Sequence, residues 1–125
     1  MIIKKQKAAG GQFNENQIMH WFVQICLGLN YIHSKRIVHR DLKASNIFVT
    51  RTYCLKIGDF GIAKMLEGTL EAALTIVGTP YYMSPELCLS KPYTLKTDIW
   101  SFGCLLYEMA TLKVLSLKTI APLHC

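Results

Sequence analysis

The feature that most constrains the fold is the segment Thr97 to Leu112, which is apolar on nearly every side. Its large apolar residues follow one another closely: Ile99, Trp100, Phe102, Leu105, Leu106, Tyr107 and Met109. A helix that is hydrophobic all round belongs in the middle of a protein. Its densest apolar run, residues 99–107, is well short of the roughly 18 residues that cross a membrane. We therefore expect a central core helix, and because little chain follows it, part of its surface should be exposed.

The composition fits a protein with a packed core. The chain has 125 residues, of which 51% are hydrophobic and 18% charged. This supports one domain, or a large piece of one, and argues against intrinsic disorder. Lysines near the start are not followed by an apolar stretch, so no secretory signal is predicted. The cysteines form no Cys-x-x-Cys pair and no zinc-ligand spacing, which favours reduced thiols in a cytosolic or nuclear protein.

Charge is distributed unevenly along the chain. Residues 1–64 carry 10 basic and 3 acidic side chains, a balance of +7, whereas residues 65–125 carry 4 and 5, a balance of −1. Such an asymmetry suggests an anionic partner for the first half: nucleic acid, anionic lipid or a phosphorylated small molecule. An ordinary solvated basic face is an equally good interpretation of charge alone.

Periodicity predicts a second long helix, over about residues 15–34. Asn14, with Gln17 three residues later, is a variant capping box. Apolar residues then recur at helical spacing: Ile18, Trp21, Phe22, Ile25, Leu29 and Ile32. Gly28 is a mild weak point in this helix, which otherwise has an apolar stripe wide enough to face a core.

Shorter elements are predicted between the two long helices. Two small strands, residues 47–49 and 54–57, are joined by a polar turn. Residues 58–80 contain four glycines and show no periodicity, and a loop of this length in a compact domain is usually functional. Ser84 followed by Pro85 is typical of a helix start, with serine as the cap and proline at the first helical position.

Two charged loops at the ends of short strands hold the residues that can do chemistry. The first, residues 39–46, reads His-Arg-Asp-Leu-Lys-Ala-Ser-Asn, and the second is Asp59-Phe60-Gly61. Together they provide a carboxylate, an ammonium and an amide, followed by a second carboxylate. Phosphoryl transfer from a nucleotide needs such a set. One carboxylate orients and accepts the proton of the attacking hydroxyl, oxygen ligands hold Mg²⁺, and a cation offsets charge on the moving phosphoryl group.

The order and spacing of these residues resemble the eukaryotic protein kinase family, so the assignments below are recognition of a known signature. Asp41 matches the catalytic base of that family. Lys43 matches the lysine that distinguishes serine/threonine kinases and contacts the transferred phosphate. Asn46, five residues after the base, and Asp59, 18 residues after it, match the Mg²⁺ ligands. The resemblance therefore implies ATP and Mg²⁺ as cofactors.

Further positions extend the resemblance beyond the two loops. Residues 84–86, Ser-Pro-Glu, lie where the family usually has Ala-Pro-Glu. Thr79 matches the substrate-docking threonine whose hydroxyl bonds to the catalytic loop. Asp98 matches the buried aspartate that holds the backbone around His39 and Arg40.

Within the family, the sequence is most similar to the NIMA-related serine/threonine kinases. The similarity lies in four segments: residues 21–26, 78–86, 91–93 and 107–113. Thr75 lies where these kinases carry the phosphoacceptor of the activation loop, and a phosphate there would pair with Arg40 and order the loop. The alternative for Thr75 is an ordinary loop threonine.

The resemblance implies an α+β fold, the large C-terminal lobe of a protein kinase, mainly helical with short β-hairpins around the catalytic loop. Residues 1–113 are predicted to be a partial kinase domain without its N-terminal lobe, and residues 114–125 a divergent tail. The Gly-rich loop, the strand lysine with its glutamate partner and the hinge are not found in the sequence. We therefore expect little or no phosphate transfer by the isolated chain, and a Glu86 without its usual arginine partner.

Three functions follow from these observations. The first is a non-specific serine/threonine protein kinase by family, acting on Ser/Thr of protein substrates. The second is a non-catalytic interaction or regulatory fragment that associates through an exposed apolar helix. A nucleic-acid-binding module is disfavoured because no basic strand face with interleaved aromatics is present, and no membrane partner is expected. The expected location is the cytoplasm, with the nucleus, cytoskeleton or centrosome suggested by family analogy.

Overall fold

A computed structural model describes residues 2–58, 64–65 and 80–115. The helices in this part of the chain are α1 (Ile2–Ala8), α2 (Glu15–Ser34), α3 (Pro85–Cys88) and α4 (Leu95–Thr111). The strands are β1 (Ile37–Val38), β2 (Ile47–Val49), β3 (Leu55–Ile57) and β4 (Lys64–Met65). Two 3₁₀ segments are also present, Ala44–Asn46 and Pro80–Tyr82. The strands form two antiparallel pairs, β1 with β4 and β2 with β3.

Helix α2 forms where periodicity predicts it. The Asn14 side chain caps the helix by accepting a hydrogen bond from the Asn16 backbone N–H at 2.8 Å. Four side chains spaced three or four residues apart are buried: Trp21, Ile25, Leu29 and Ile32. This spacing places them on one face, so that α2 packs against α4, β1 and β3.

The β2–β3 hairpin lies against α2. Ile47 pairs with Ile57 and Val49 with Leu55, and these residues are partly buried, whereas Phe48 is exposed. The Leu55 backbone N–H donates to Gln24 Oε1 on α2 at 2.7 Å. A Cβ atom added to Gly28 would lie 2.9 Å from Ile57 Cδ1, so glycine at this position allows the strand to approach the helix.

Helix α4 begins two residues earlier than predicted and is held by a complete capping box between Thr94 and Thr97. It ends at Thr111, followed by Leu112 in a left-handed conformation with φ of 56°. Its buried side chains include polar as well as apolar groups: Thr97, Asp98, Ser101, Phe102, Cys104, Leu105, Glu108 and Met109. Ile99 is 53% exposed, which confirms that this apolar helix is incompletely covered among the described residues.

The core lies between α1, α2, α4 and the loop after β1. Ile3 from α1, Leu42 and Ala44 from the loop, and the buried side chains of both long helices form one apolar cluster. The observed elements agree with the predicted α+β class. Helix α1 and the β1–β4 pair were not predicted, because the first has a mixed composition and the second has strands of only two residues.

Among the cysteines that the structure describes, Cys88 departs from the expectation. Cys26, Cys54 and Cys104 are free thiols, but Cys88 is disulfide-bonded, so the prediction of reduced thiols is wrong at Cys88. Within the described residues, no helix is both long and apolar enough to cross a membrane.

Candidate active site

One buried carboxylate, that of Asp98, holds the backbone of the loop after β1. Asp98, near the start of α4, is 1% exposed and accepts hydrogen bonds from the backbone N–H groups of His39 at 2.9 Å and Arg40 at 3.0 Å. His33, at the end of α2, lies with Nε2 2.8 Å from the same carboxylate. The predicted role of Asp98 in holding this backbone agrees with the geometry. His33 is a supporting residue that sequence reasoning missed.

His39 links the first charged loop to Gly58, at the end of the β2–β3 hairpin. The side chain is fully buried; Nε2 lies 3.1 Å from the Gly58 carbonyl oxygen, and Nδ1 lies 3.3 Å from the Asp41 backbone nitrogen. The Asp41 N–H can only donate, so Nδ1 accepts and Nε2 carries the proton that is donated to Gly58. One imidazole therefore bonds to the backbone of both Asp41 and Gly58, and Gly58 directly precedes Asp59 in sequence.

Asp41, Lys43 and Asn46 form the polar centre of the loop. The Lys43 ammonium Nζ lies 2.6 Å from Asp41 Oδ2, and these side chains are 24% and 11% exposed. The Asn46 amide nitrogen donates to Asp41 Oδ2 at 3.1 Å and to the Asp41 carbonyl oxygen at 2.8 Å. The loop after β1 therefore brings together three of the predicted site residues. Its carboxylate is held by a cation and an amide and is still accessible to solvent.

The orientation of the Asn46 amide suits its oxygen atom to be a ligand for Mg²⁺. Both of its amide contacts to Asp41 use the nitrogen, so the oxygen Oδ1 points elsewhere. Within the described residues, Oδ1 accepts a hydrogen bond from the Ser45 hydroxyl at 3.5 Å. Side-chain amide oxygens and carboxylates are suitable ligands for this hard cation. The second predicted ligand, Asp59, lies outside the described residues. Within those residues no group of three His, Cys, Asp or Glu side chains could hold a metal.

The segment before α4 is tied to α4 by two carboxylates. The Glu86 carboxylate accepts a hydrogen bond from the Thr97 hydroxyl at 3.1 Å. The Tyr82 hydroxyl donates to Glu108, and burial, followed by this hydrogen bond, raises the pKa of the Tyr82 phenol. Ser84 caps α3 by position, with Pro85 at the first helical turn as predicted, but its buried hydroxyl makes no capping hydrogen bond.

Two further predicted positions lie outside the described residues. These are Thr75, the predicted phosphoacceptor, and Thr79, the predicted substrate-docking threonine. Arg40, the predicted partner of a phosphate on Thr75, lies in the loop between His39 and Asp41 with φ of 72°.

Phe48 is an exposed aromatic residue beside the site that sequence reasoning treated only as part of a strand. Its ring lies against Gly58, because a Cβ atom added to that glycine would be 2.7 Å from Phe48 Cε2 and 3.9 Å from the Asn46 carbonyl oxygen. The signal available in the sequence is an aromatic residue in a strand whose neighbours, Ile47 and Val49, point to the other face.

Comparison with known proteins identifies the family of this chain. The profile of the protein kinase domain matches residues 2–120. The chain belongs to the protein kinase family. Asp41, Lys43 and Asn46, which the resemblance to this family matches to its site residues, contact one another within one loop.

The relatives of this kinase chain support the predicted resemblance to NIMA-related kinases. It is 56% identical to mouse serine/threonine-protein kinase Nek1 over 104 residues, which is 83% of this chain and 9% of Nek1. It is 58% identical to human Nek5 over 105 residues, 83% of this chain and 15% of Nek5. It is 55% identical to mouse Nek4 over 113 residues, 90% of this chain and 14% of Nek4. The kinase chain thus spans less than a fifth of the length of these relatives.

Proposed function

We propose that this chain carries the catalytic loop of a serine/threonine protein kinase that transfers the γ-phosphate of ATP to Ser or Thr hydroxyls of protein substrates. The observation that carries the proposal is the Asp41 carboxylate. It is held by Lys43 at 2.6 Å and by Asn46 at 3.1 Å, and it is partly accessible. The names of the similar kinases support the serine/threonine class.

Each residue of the loop has a distinct role in this proposal. Asp41 orients the substrate hydroxyl and accepts its proton, and Lys43 offers positive charge where the transferred phosphoryl group carries negative charge. Asn46 and Asp59 would hold Mg²⁺, which would supply charge neutralisation on the phosphates of ATP. Phe48 offers an apolar ring beside this polar centre, on which a nucleotide base could pack.

The function of the loop can be tested in a chimera. The 104 residues of mouse Nek1 that align with this chain would be replaced by the aligned residues, and transfer from radiolabelled ATP to a basic protein measured. We expect clear activity in the chimera and a loss of about 10²–10⁴-fold in its Asp41→Asn variant, because the base is removed without changing the shape of the side chain. Glu15→Gln, which alters an exposed acid outside the site, is the matched control and should leave the rate unchanged.

The outcome that contradicts the proposal is equally specific. A chimera that unfolds at the temperature of its parent but transfers no more phosphate than its Asp41→Asn variant would show that this loop is not competent.

For the 125-residue chain alone, we expect little or no phosphate transfer. The sequence contains no Gly-rich loop over the phosphates, no strand lysine with a glutamate partner and no hinge segment for adenine. The same assay on the isolated chain should not distinguish wild type from Asp41→Asn. A clear excess for the wild type would overturn this expectation.

A second candidate function is association through the exposed face of α4. One observation favours it: a groove of about 450 Å³ on this face is lined mainly by apolar groups, including Ile99, Trp100, Cys104 and Leu115. Exposed apolar patches of this kind often mark protein interaction sites. Sedimentation of the chain should then show association that Asp41→Asn retains and Ile99→Glu abolishes, whereas a monomer at all concentrations would contradict it.

The regulatory and cellular assignments are also proposals. We propose Thr75 as a phosphoacceptor whose phosphate pairs with Arg40, Thr79 as a substrate-docking residue, and the cytoplasm as the location. Mass spectrometry of the chain isolated from cells would test the first, by showing whether the peptide containing Thr75 is phosphorylated.

A further inference from the structure

The backbone of the catalytic loop has an unusual conformation at Arg40. Its φ of 72° lies in the left-handed region, which residues other than glycine, asparagine and aspartate seldom occupy. Such a conformation persists only where surrounding contacts specify it. Because Arg40 directly precedes Asp41, its backbone angles set the direction in which the Asp41 carboxylate leaves the loop.

Asp98 supplies some of the contacts that hold Arg40 in this conformation. Its Oδ1 accepts the Arg40 backbone N–H at 3.0 Å, while Oδ2 accepts the His39 N–H at 2.9 Å. These contacts fix the amide side of Arg40 but leave its carbonyl group and its long side chain to be fixed by other contacts.

Tyr93, in the loop before α4, contacts both the carbonyl group and the side chain of Arg40. Its hydroxyl donates a hydrogen bond to the Arg40 carbonyl oxygen at 2.8 Å. Its ring lies under the Arg40 guanidinium, with the carbon Cζ 4.9 Å from the ring centroid, within range of a cation–π interaction. A single side chain therefore contacts both the backbone and the side chain of the strained residue.

The Tyr93 hydroxyl is suited to this role over the whole physiological pH range. Burial raises the pKa of the phenol, and the nearby Arg40 guanidinium opposes this only in part. The phenol therefore keeps its proton at neutral pH and can donate continuously to the Arg40 carbonyl oxygen.

We propose that Tyr93 is a positioning residue for the catalytic loop: with Asp98, it clamps Arg40 from both sides and so fixes the orientation of Asp41. Tyr93 acts through Arg40 and does not itself contact the reacting groups. That the clamp serves catalysis rests on the proposed kinase function. The clamp itself is a structural property, which can be measured without any phosphate transfer.

Amide hydrogen exchange, followed by mass spectrometry on the whole chain, tests the clamp directly. In Tyr93→Phe, which keeps the ring but loses the hydroxyl, exchange in the peptide covering residues 38–46 should accelerate about fivefold. In Tyr93→Leu, which loses both contacts, we expect about thirtyfold. The middle of α2, residues 18–30, should keep its exchange rates in both variants. Tyr31→Leu, at an exposed tyrosine of α2, is the matched control and should leave residues 38–46 unchanged.

The graded response separates positioning from a general loss of stability. An effect on residues 38–46 that is partly rescued by phenylalanine supports the clamp. Unchanged exchange there in a folded Tyr93→Leu variant would overturn it, as would equal acceleration throughout the chain in Tyr93→Phe. Should Tyr93→Leu not fold, Tyr93→Phe alone decides, because it removes only one hydrogen bond. An inactive Nek1 chimera together with a confirmed clamp would reject the kinase function and leave the clamp intact.

Discussion

The catalytic loop and the outer face of α2 are built on opposite principles. In the loop, His39 and Asn46 are buried and Asp41 is partly buried, and the three residues bond to one another or to the surrounding backbone. On the outer face of α2, apolar side chains recur every four residues and are exposed: Met19, Val23, Leu27 and Tyr31. The loop is therefore specified by directional contacts, whereas no described contact specifies the outer face.

This difference indicates where the chain should be sensitive to mutation. A buried polar group that loses its partner is costly, because water cannot replace the missing hydrogen bond. An exposed apolar side chain that is truncated leaves no cavity and no unpaired group. The first region should then respond strongly to single substitutions and the second weakly.

The largest effect is expected for Asp98→Ala. The change leaves the backbone N–H groups of His39 and Arg40 buried without an acceptor, and it removes the partner of His33. We expect the free energy of unfolding to fall by about 3–5 kcal/mol, or cooperative unfolding to disappear. Urea unfolding measures this, with Glu15→Ala, at an exposed acid of α2, costing less than about 1 kcal/mol. A similar small loss for both variants would remove the contrast between the two regions.

A matched pair of leucines on α2 compares the two faces of one helix. Leu29 is 2% exposed and Leu27 is 65% exposed, so the same substitution two residues apart tests burial alone. Leu29→Ala should cost about 3 kcal/mol, the typical loss for a leucine in a core, and Leu27→Ala less than about 0.5 kcal/mol. Equal losses in thermal or urea unfolding would mean that the outer face is packed against something in solution.

A smaller effect is expected at the start of α2. Asn14→Ala removes the side chain that accepts the Asn16 N–H, and loss of such a cap costs about 1 kcal/mol. Asn14→Ser, which restores an acceptor, should recover most of the loss in a urea titration. Failure of serine to recover it would show that the cap is not what stabilises this end.

The smallest change should appear only at alkaline pH. Burial raises the pKa of both Tyr82 and Tyr93 in the folded chain, so the folded state holds these protons more tightly than the unfolded state. Their contribution to stability is complete below the ordinary phenol pKa of about 10 and is lost as the pH rises above it. Thermal unfolding between neutral and strongly alkaline pH measures this. In Tyr93→Phe the melting temperature should fall less steeply with rising pH than in the wild type. An equally steep fall would contradict a contribution from the Tyr93 phenol.

The parts of the structure that depend on local signals could be predicted from the sequence. Helix α2 follows from the Asn14 cap and the spacing of Trp21, Ile25 and Leu29, and the hairpin follows from its apolar strands around a polar turn. The juxtaposition of Asp41, Lys43 and Asn46 could be predicted because the motif keeps these residues within six positions of one another.

The parts that depend on distant contacts could not be predicted from local signals. His33 and Asp98 are in contact although they are 65 residues apart in the sequence, and Tyr93 and Arg40 are 53 residues apart. No periodicity or motif in the sequence connects either pair. Strands β1 and β4 are each two residues long, which is too short to show the alternation of apolar and polar side chains that predicts a strand. The Glu86 carboxylate, expected to lack its arginine, accepts the Thr97 hydroxyl instead, a contact that only the folded chain reveals.

The close approach of Ile57 to Gly28 limits how this sequence can change over evolutionary time. The two glycines of the long helices look alike on a propensity scale, yet alanine at Gly103 would meet nothing within 4 Å, while at Gly28 it would collide with Ile57. Alanine at Gly103 should add about 0.5–1 kcal/mol of stability, because it favours the helix in the folded chain and restricts the unfolded one. At Gly28 the added methyl group would require the Ile57 side chain, whose Cδ1 would lie 2.9 Å away, to change its rotamer. Gly103 can therefore change to alanine independently, whereas the same change at Gly28 also needs a side-chain adjustment at a residue 29 positions away.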